Sequence, residues 1–165
     1  MIRSSTVTTS AAPAGVTSVS GPLTIHADVL TVETDSRFQL VDITDRVRAL
    51  VRQAGIAEGM ANLQSLHTTC SVLINESQTA LVADIQHFLE HVVDRDADWL
   101  HNDPAHSDCD RFNADAHLRA LLLGQSLTLQ VGRGDLVLGQ WQRVLLAELD
   151  GPRARSLRLQ VMGVA

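Results

Sequence analysis

The hydrophobic period of this chain switches abruptly near its middle, and that switch constrains the fold more than any other feature. From Asn62 to Asn75 the residues alternate as in a single long strand: Leu66, Thr68, Cys70, Val72 and Ile74 share one parity. His67, Thr69, Ser71 and Asn75 share the other, interrupted by Leu73. A period of two belongs to a half-buried strand. From Ser77 the period becomes helical, and Leu81, Val82, Ile85, Phe88, Leu89 and Val92 fall on one stripe that ends near Val93. A strand that becomes an amphipathic helix within a few residues calls for a sheet with helices packed on it.

The flanking segments agree. Leu23 to Glu33 reads as a strand with Leu23, Ile25, Ala27 and Val29 on one face, and residues 38–43 read as a second. Thr44 or Asp42 can cap a helix that turns Val47, Leu50, Val51 and Ala54 inward and Arg46, Arg48 and Arg52 to water, with Gly55 as its stop. Asn113 can cap a third helix, Ala114 to Leu123, closed by Gly124. On its wheel Ala114, Leu118, Leu121 and Leu122 are expected to face inward, with His117 at the rim. Three strands complete the chain, over 125–131, 136–149 and 156–164. Gly132-Arg133-Gly134-Asp135 makes the first connection a hairpin, and Gly139 suggests a bulge or a close backbone approach. The order predicts an α+β fold: a single domain over residues 21–165 with a mixed or antiparallel sheet and about three helices. Residues 1–20, rich in Ser, Thr and Ala, are expected to form a flexible tail.

Composition narrows the function classes. At 165 residues, 45% hydrophobic and 19% charged, the chain can bury a real core. No apolar run approaches the ~20 residues of a membrane span, and no secretory signal is present, so a cytoplasmic protein is expected. Two cysteines, Cys70 and Cys109, exclude a disulfide scaffold. The formal charge of -6 argues against duplex nucleic acid as a partner. GxGxxG, P-loop, GxSxG and HExxH motifs are absent.

Several residues carry chemistry. The His67–Asn75 face is either solvated or lines a site, and Glu76 follows at the strand–helix junction. The acidic, irregular stretch 94–113 holds His101 beside Trp99, and an unstructured loop of ~20 residues is often functional. Asp84, His87 and His91 share a helix face, but one opposite the apolar stripe, which suits a solvated surface. Arg153 and Arg155 follow a Gly-Pro turn. They either clasp one phosphate or carboxylate together or pair with Asp150 and Glu148.

In combination these motifs resemble the YjbQ-like family. His67-Thr68-Thr69-Cys70-Ser71-Val72-Leu73-Ile74-Asn75-Glu76 is similar to its HTT(A/C)(A/S)xxxNE signature. His101, Asn113-x-Asp115-Ala116-His117, Leu138-Gly139-x-Trp141-Gln142 and Glu148-x-Asp150-Gly151-Pro152-Arg153-x-Arg155 follow in the family's order, over roughly residues 23–164. Members are commonly labelled secondary thiamine-phosphate synthase enzymes and form compact trimers. The resemblance therefore implies a homotrimer acting on a small phosphorylated or anionic molecule. The implied activity, weak or secondary, joins hydroxymethylpyrimidine diphosphate to thiazole phosphate and releases pyrophosphate. It further implies that His67, His101 and His117 converge on a divalent metal, with zinc suiting a histidine-rich site. Asn75, Glu76, Gln142 and Glu148 would then be catalytic, and Arg153 and Arg155 would bind the anion. The alternative is a non-catalytic trimer that binds a metal or a small anion. The chain departs from the family run after Asn75-Glu76, where it has Ser77-Gln78-Thr79-Ala80, and before Trp141, where Gln140 replaces a small residue.

Overall fold

The computed structural model describes residues 18–165. Most of the expected tail lies outside the described residues. The elements run β1 (Thr24–Glu33), β2 (Gln39–Asp42), α1 (Thr44–Ala54), β3 (Glu58–Ser65), β4 (Cys70–Asn75), α2 (Thr79–Val92), a 3₁₀ turn (Leu100–Asn102), α3 (Ala114–Leu123), β5 (Ser126–Gly132), β6 (Asp135–Leu136), β7 (Arg143–Glu148) and β8 (Ala154–Val164). Among the described residues eight strands form two sheets, ordered β1-β8-β3-β5-β6 and β2-β7-β4. Every pairing is antiparallel. The fold is α+β with three α-helices, as the periodicities predict.

The inner faces of the two sheets enclose the main core, where Leu30, Val32, Leu63, Val72, Val144, Leu146, Leu157 and Leu159 pack with Val47 and Val51 of α1. A second cluster lies on the other face of the three-stranded sheet. Ala147 and Leu149 meet Leu89 of α2 and Ala116 and Ala120 of α3 there. The run from Val144 to Asp150 is consequently buried throughout, which is why residues 144–147 read as continuous apolar sequence rather than an alternation. No described helix is long and apolar enough to cross a membrane.

Three expectations change, each because tertiary context overrides a local pattern. The single strand expected from Asn62 to Asn75 is two strands in different sheets. The chain turns at residues 66–69, leaving β3 in the five-stranded sheet and entering β4 in the other. In β1 the expected apolar parity is reversed. Leu30 and Val32 are buried, whereas Ile25 and Val29 lie on the outer face of the sheet, and Leu23 is exposed just ahead of the strand. The stretch expected as one strand from 136 to 149 is interrupted over residues 137–142, where Gly139 sits in a loop and its N–H donates to Gln142 Oε1 at 2.8 Å.

The wheel of α3 is partly turned. Ala114 is buried and Leu118 half-buried as expected, but Leu121 and Leu122 face outward at 76% and 57% exposed, while Ala116, Ala120, Asp115 and Arg119 are buried in their place. Small side chains let the helix lie close to β4, where Ser71 Oγ donates to the Ala120 carbonyl at 3.3 Å. The Gly132–Asp135 hairpin forms as predicted, with Arg133 at φ 52° and Gly134 at φ 77°, the two positive values that a two-residue turn matching strand twist requires.

Candidate functional site

The residues predicted to carry chemistry gather mainly at one end of the three-stranded sheet, where β7 runs out at Glu148 and the chain turns through Gly151 into β8. Glu148 is fully buried and its carboxylate is saturated. Thr34 Oγ1 donates to Oε2 at 2.9 Å, the Asp150 N–H donates to Oε1 at 2.8 Å, and Arg155 donates through Nε at 2.6 Å and through Nη2. Arg155, 1% exposed, also reaches the Thr69 carbonyl and hydroxyl. Gly151 is required beside this knot, since a Cβ there would lie 2.5 Å from the Ser36 carbonyl and 2.7 Å from Glu148 Cγ.

Two residues on, Asp150 is 3% exposed at its side chain and organises a second knot. It accepts from Arg37 Nη1 at 3.1 Å, Arg111 Nε at 3.2 Å, Arg153 Nη2 at 3.0 Å and Asn113 Nδ2 at 2.8 Å. Arg37 extends to the buried Asp115, whose other oxygen pairs with Arg119 at 3.0 Å. Arg153 and Arg155 thus do not share one partner: each holds its own carboxylate.

Asn113, at the start of α3, turns its amide oxygen to His101 Nε2 at 3.2 Å. The rings of His101 and His117 meet edge to face with centroids 5.0 Å apart, inside the ~6.5 Å that one ion bound at about 2.1 Å from a nitrogen of each could span. They line a cleft of about 270 Å³ with Trp99, Leu100, Ala114 and Leu118, an apolar setting beside a polar knot. Burial, and then the neighbouring His101, hold the His117 imidazole below its ordinary pKa. Burial and the nearby Arg155 do the same for His67. Both rings are therefore neutral at pH 7.

His67 is placed differently. It sits on the turn between β3 and β4, and its Nε2 accepts the Ser156 N–H at 2.8 Å. That bond occupies the lone pair a metal would need. Among the described residues, no three His, Cys, Asp or Glu side chains are arranged to hold a metal ion. Within one chain the residues present thus offer a pair of imidazoles, not a closed ligand set.

Asn75, Glu76 and Gln142 stand at the opposite end of the same sheet. Asn75 is opposite Arg143 in the ladder, whereas Cys70 is opposite Glu148. Five residue steps along a strand separate these ends by about 17 Å. The structure therefore brings together His101, His117, Glu148, Arg153 and Arg155, with His67 near Arg155, and leaves Asn75, Glu76 and Gln142 apart. Cys70 is core, its thiol pushed up to about 11 by burial. Asp84, His87 and His91 lie exposed on α2. Sequence reasoning did not single out Arg37 and Arg111. Neither sits in a motif, and only the fold carries them to Asp150.

The comparisons with known proteins bear on this arrangement. The chain matches the family described as UPF0047 protein YjbQ-like over residues 28–164. It belongs to the YjbQ-like family. A UPF0047 protein of Methanothermobacter thermautotrophicus is 41% identical over 139 residues, covering 84% of this chain and 93% of that protein. A UPF0047 protein of Mycobacterium tuberculosis is 36% identical over 137 residues, covering 82% and 96%. Among solved structures, a YbjQ-like protein of Sulfolobus solfataricus superposes with a TM-score of 0.79 at 34% identity, covering 86% of this chain and 99% of that one. The family match spans both ends of the three-stranded sheet and every YjbQ-like motif from His67 to Arg155.

Proposed function

We propose that this YjbQ-like protein binds a small phosphorylated ring compound at the Asp150 end of the sheet, with thiamine-phosphate synthase chemistry as the reaction the site suits. The observation that carries this is the position of Asn113. One side of its amide touches His101 in an apolar cleft, and the other touches Asp150 among its arginines. A flat heterocycle fits the cleft, and its phosphate end meets the guanidiniums.

In the synthase reaction the thiazole nitrogen attacks the methylene carbon of hydroxymethylpyrimidine diphosphate. The new C–N bond forms as the C–O bond breaks, and pyrophosphate leaves with the electron pair. Such a step needs fixed positive charge where negative charge accumulates, which Arg153 supplies at this end. Arg155 and Glu148 act as positioning residues in this scheme, because each is consumed by the other and by the β7–β8 turn. His117, neutral and at the cleft, can accept or donate a proton.

Asn75, Glu76 and Gln142 join the scheme through assembly. In a homotrimer one chain's far sheet end can meet a neighbour's cleft, and a divalent ion such as zinc, if bound by His101 and His117, would take its third ligand from that neighbour. The test incubates the protein with both substrates and follows pyrophosphate release. Release that His117→Ala lowers by about 100-fold supports synthase chemistry. No release, together with saturable binding of the pyrimidine diphosphate, leaves the non-catalytic anion-binding alternative. Neither release nor binding removes both.

A further inference from the structure

The geometry points to a diphosphate seat built from Arg37, Arg111 and Arg153 around Asp150, two of whose three arginines lie outside every motif of the chain. Three guanidiniums converge on one carboxylate, at 3.1, 3.2 and 3.0 Å. One would suffice to pair it. Asn113 Nδ2 is the fourth donor, so Oδ2 accepts from Arg111, Arg153 and Asn113 while Oδ1 accepts from Arg37. A guanidinium carries five N–H donors, and Arg111 and Arg153 each spend only one kind of nitrogen on Asp150 and make no other side-chain hydrogen bond among the described residues. The side chains of Arg37, Arg111 and Arg153 are 31%, 50% and 30% exposed while that of Asp150 is 3% exposed, so solvent reaches the arginines and not the carboxylate. The carboxylate is the buried anchor and the arginines are the open surface.

Charge supports the same conclusion. Arg37, Arg111, Arg119 and Arg153 share only Asp115 and Asp150, so four guanidiniums on two carboxylates leave two positive charges. The start of α3 adds the positive end of its helix dipole through Asn113. A dianionic or more highly charged tetrahedral group with several oxygens is the ligand chemistry that uses forked donors fixed from different directions. A lone carboxylate would use only part of it. The three arginines come from before β2, from the loop ahead of α3 and from the β7–β8 turn, so they are held from three sides and lose little freedom when a ligand arrives. Arg155 is excluded from the seat because Glu148 and Thr69 engage it in the interior.

The seat rests on the phosphorylated-ligand proposal and gives the anion end of that site its residues. Isothermal titration of the intact protein with inorganic pyrophosphate, with inorganic phosphate in a second arm, tests it. The wild-type chain should bind pyrophosphate more tightly than phosphate. Arg111→Gln, the most exposed of the three, should weaken pyrophosphate binding by about tenfold or more. It should also lower the dependence on log salt by about one. Its unfolding midpoint should stay unchanged. Arg133→Gln, on the β5–β6 hairpin, should bind as wild type does. Wild-type affinity in both Arg111→Gln and Arg153→Gln, or no pyrophosphate binding at millimolar concentration, would overturn the seat. Its failure is distinguishable from that of the synthase proposal. Pyrophosphate binding lost in Arg111→Gln without any condensation of the two substrates removes the synthase and keeps the seat. Condensation that proceeds undiminished in Arg111→Gln does the reverse.

Discussion

α1 and α3 are helices of similar length that bury opposite kinds of side chain. α1 puts Val47 and Val51 against the core and leaves Arg46 and Arg52 exposed. α3 buries alanines together with Asp115 and Arg119, and leaves Leu121 and Leu122 outside. In α1 the hydrophobic effect alone selects the face. In α3 two other demands win. The helix must approach β4 closely, which favours alanine, and its first turn must deliver Asn113 and Asp115 to the arginines below the cleft. One helix serves the core, and the other serves the site.

The sharpest test of that contrast is Asp115→Ala. It leaves Arg119 buried beside an empty position, and a broken buried pair costs about 3–5 kcal/mol. Urea unfolding should show it as the largest loss among single variants of either helix. Val51→Ala in α1 should cost about 2 kcal/mol, the transfer of two carbons plus a small cavity. If Val51→Ala proves the more damaging, α3 is held by ordinary packing and the distinction fails. Leu121→Glu should change the stability of the single chain by less than about 0.5 kcal/mol, since the side chain is 76% exposed. If Leu121 and Leu122 form the contact of the proposed trimer, light scattering of Leu121→Glu should report a fall in mass. An unchanged mass would place the contact elsewhere.

The smallest effect is expected from pH. His117 and His67 both have pKa values below the ordinary 6.5, by burial first and then by His101 and Arg155 respectively. The unfolded chain therefore takes up protons before the folded chain does. Stability present above about pH 6.5 should decline as pH falls through the lower folded values. Comparing unfolding at pH 7.5 and 5.5 in wild type and in His117→Asn should show a smaller decline in the variant. An equal decline would assign the pH dependence to other groups.

Much of the fold was legible because its signals are short. The stop of α1 at Gly55, the Arg133-Gly134 turn and the switch into α2 each depend on a few neighbouring residues, whereas the expected cap at Thr44 or Asp42 does not form, since Ile43 occupies the cap position without a side-chain bond. The meeting of His101 with His117 was legible through the family motifs. The separation of Gln142 from Glu148 was not, because motif order says nothing about which end of a strand each motif occupies.

By itself the sequence determined the kinds of element, their order, the inward face of α1 and the membership of the YjbQ-like family. Only the tertiary structure decided where the chain breaks between β3 and β4, which face of α3 turns in, and that Arg37 and Arg111 meet Arg153 on Asp150. The reason is range. A helix or strand period is written into every few residues, so it survives reading in isolation. An ion pair between residues 113 positions apart, as for Arg37 and Asp150, depends on which strand ends the folded sheets bring side by side.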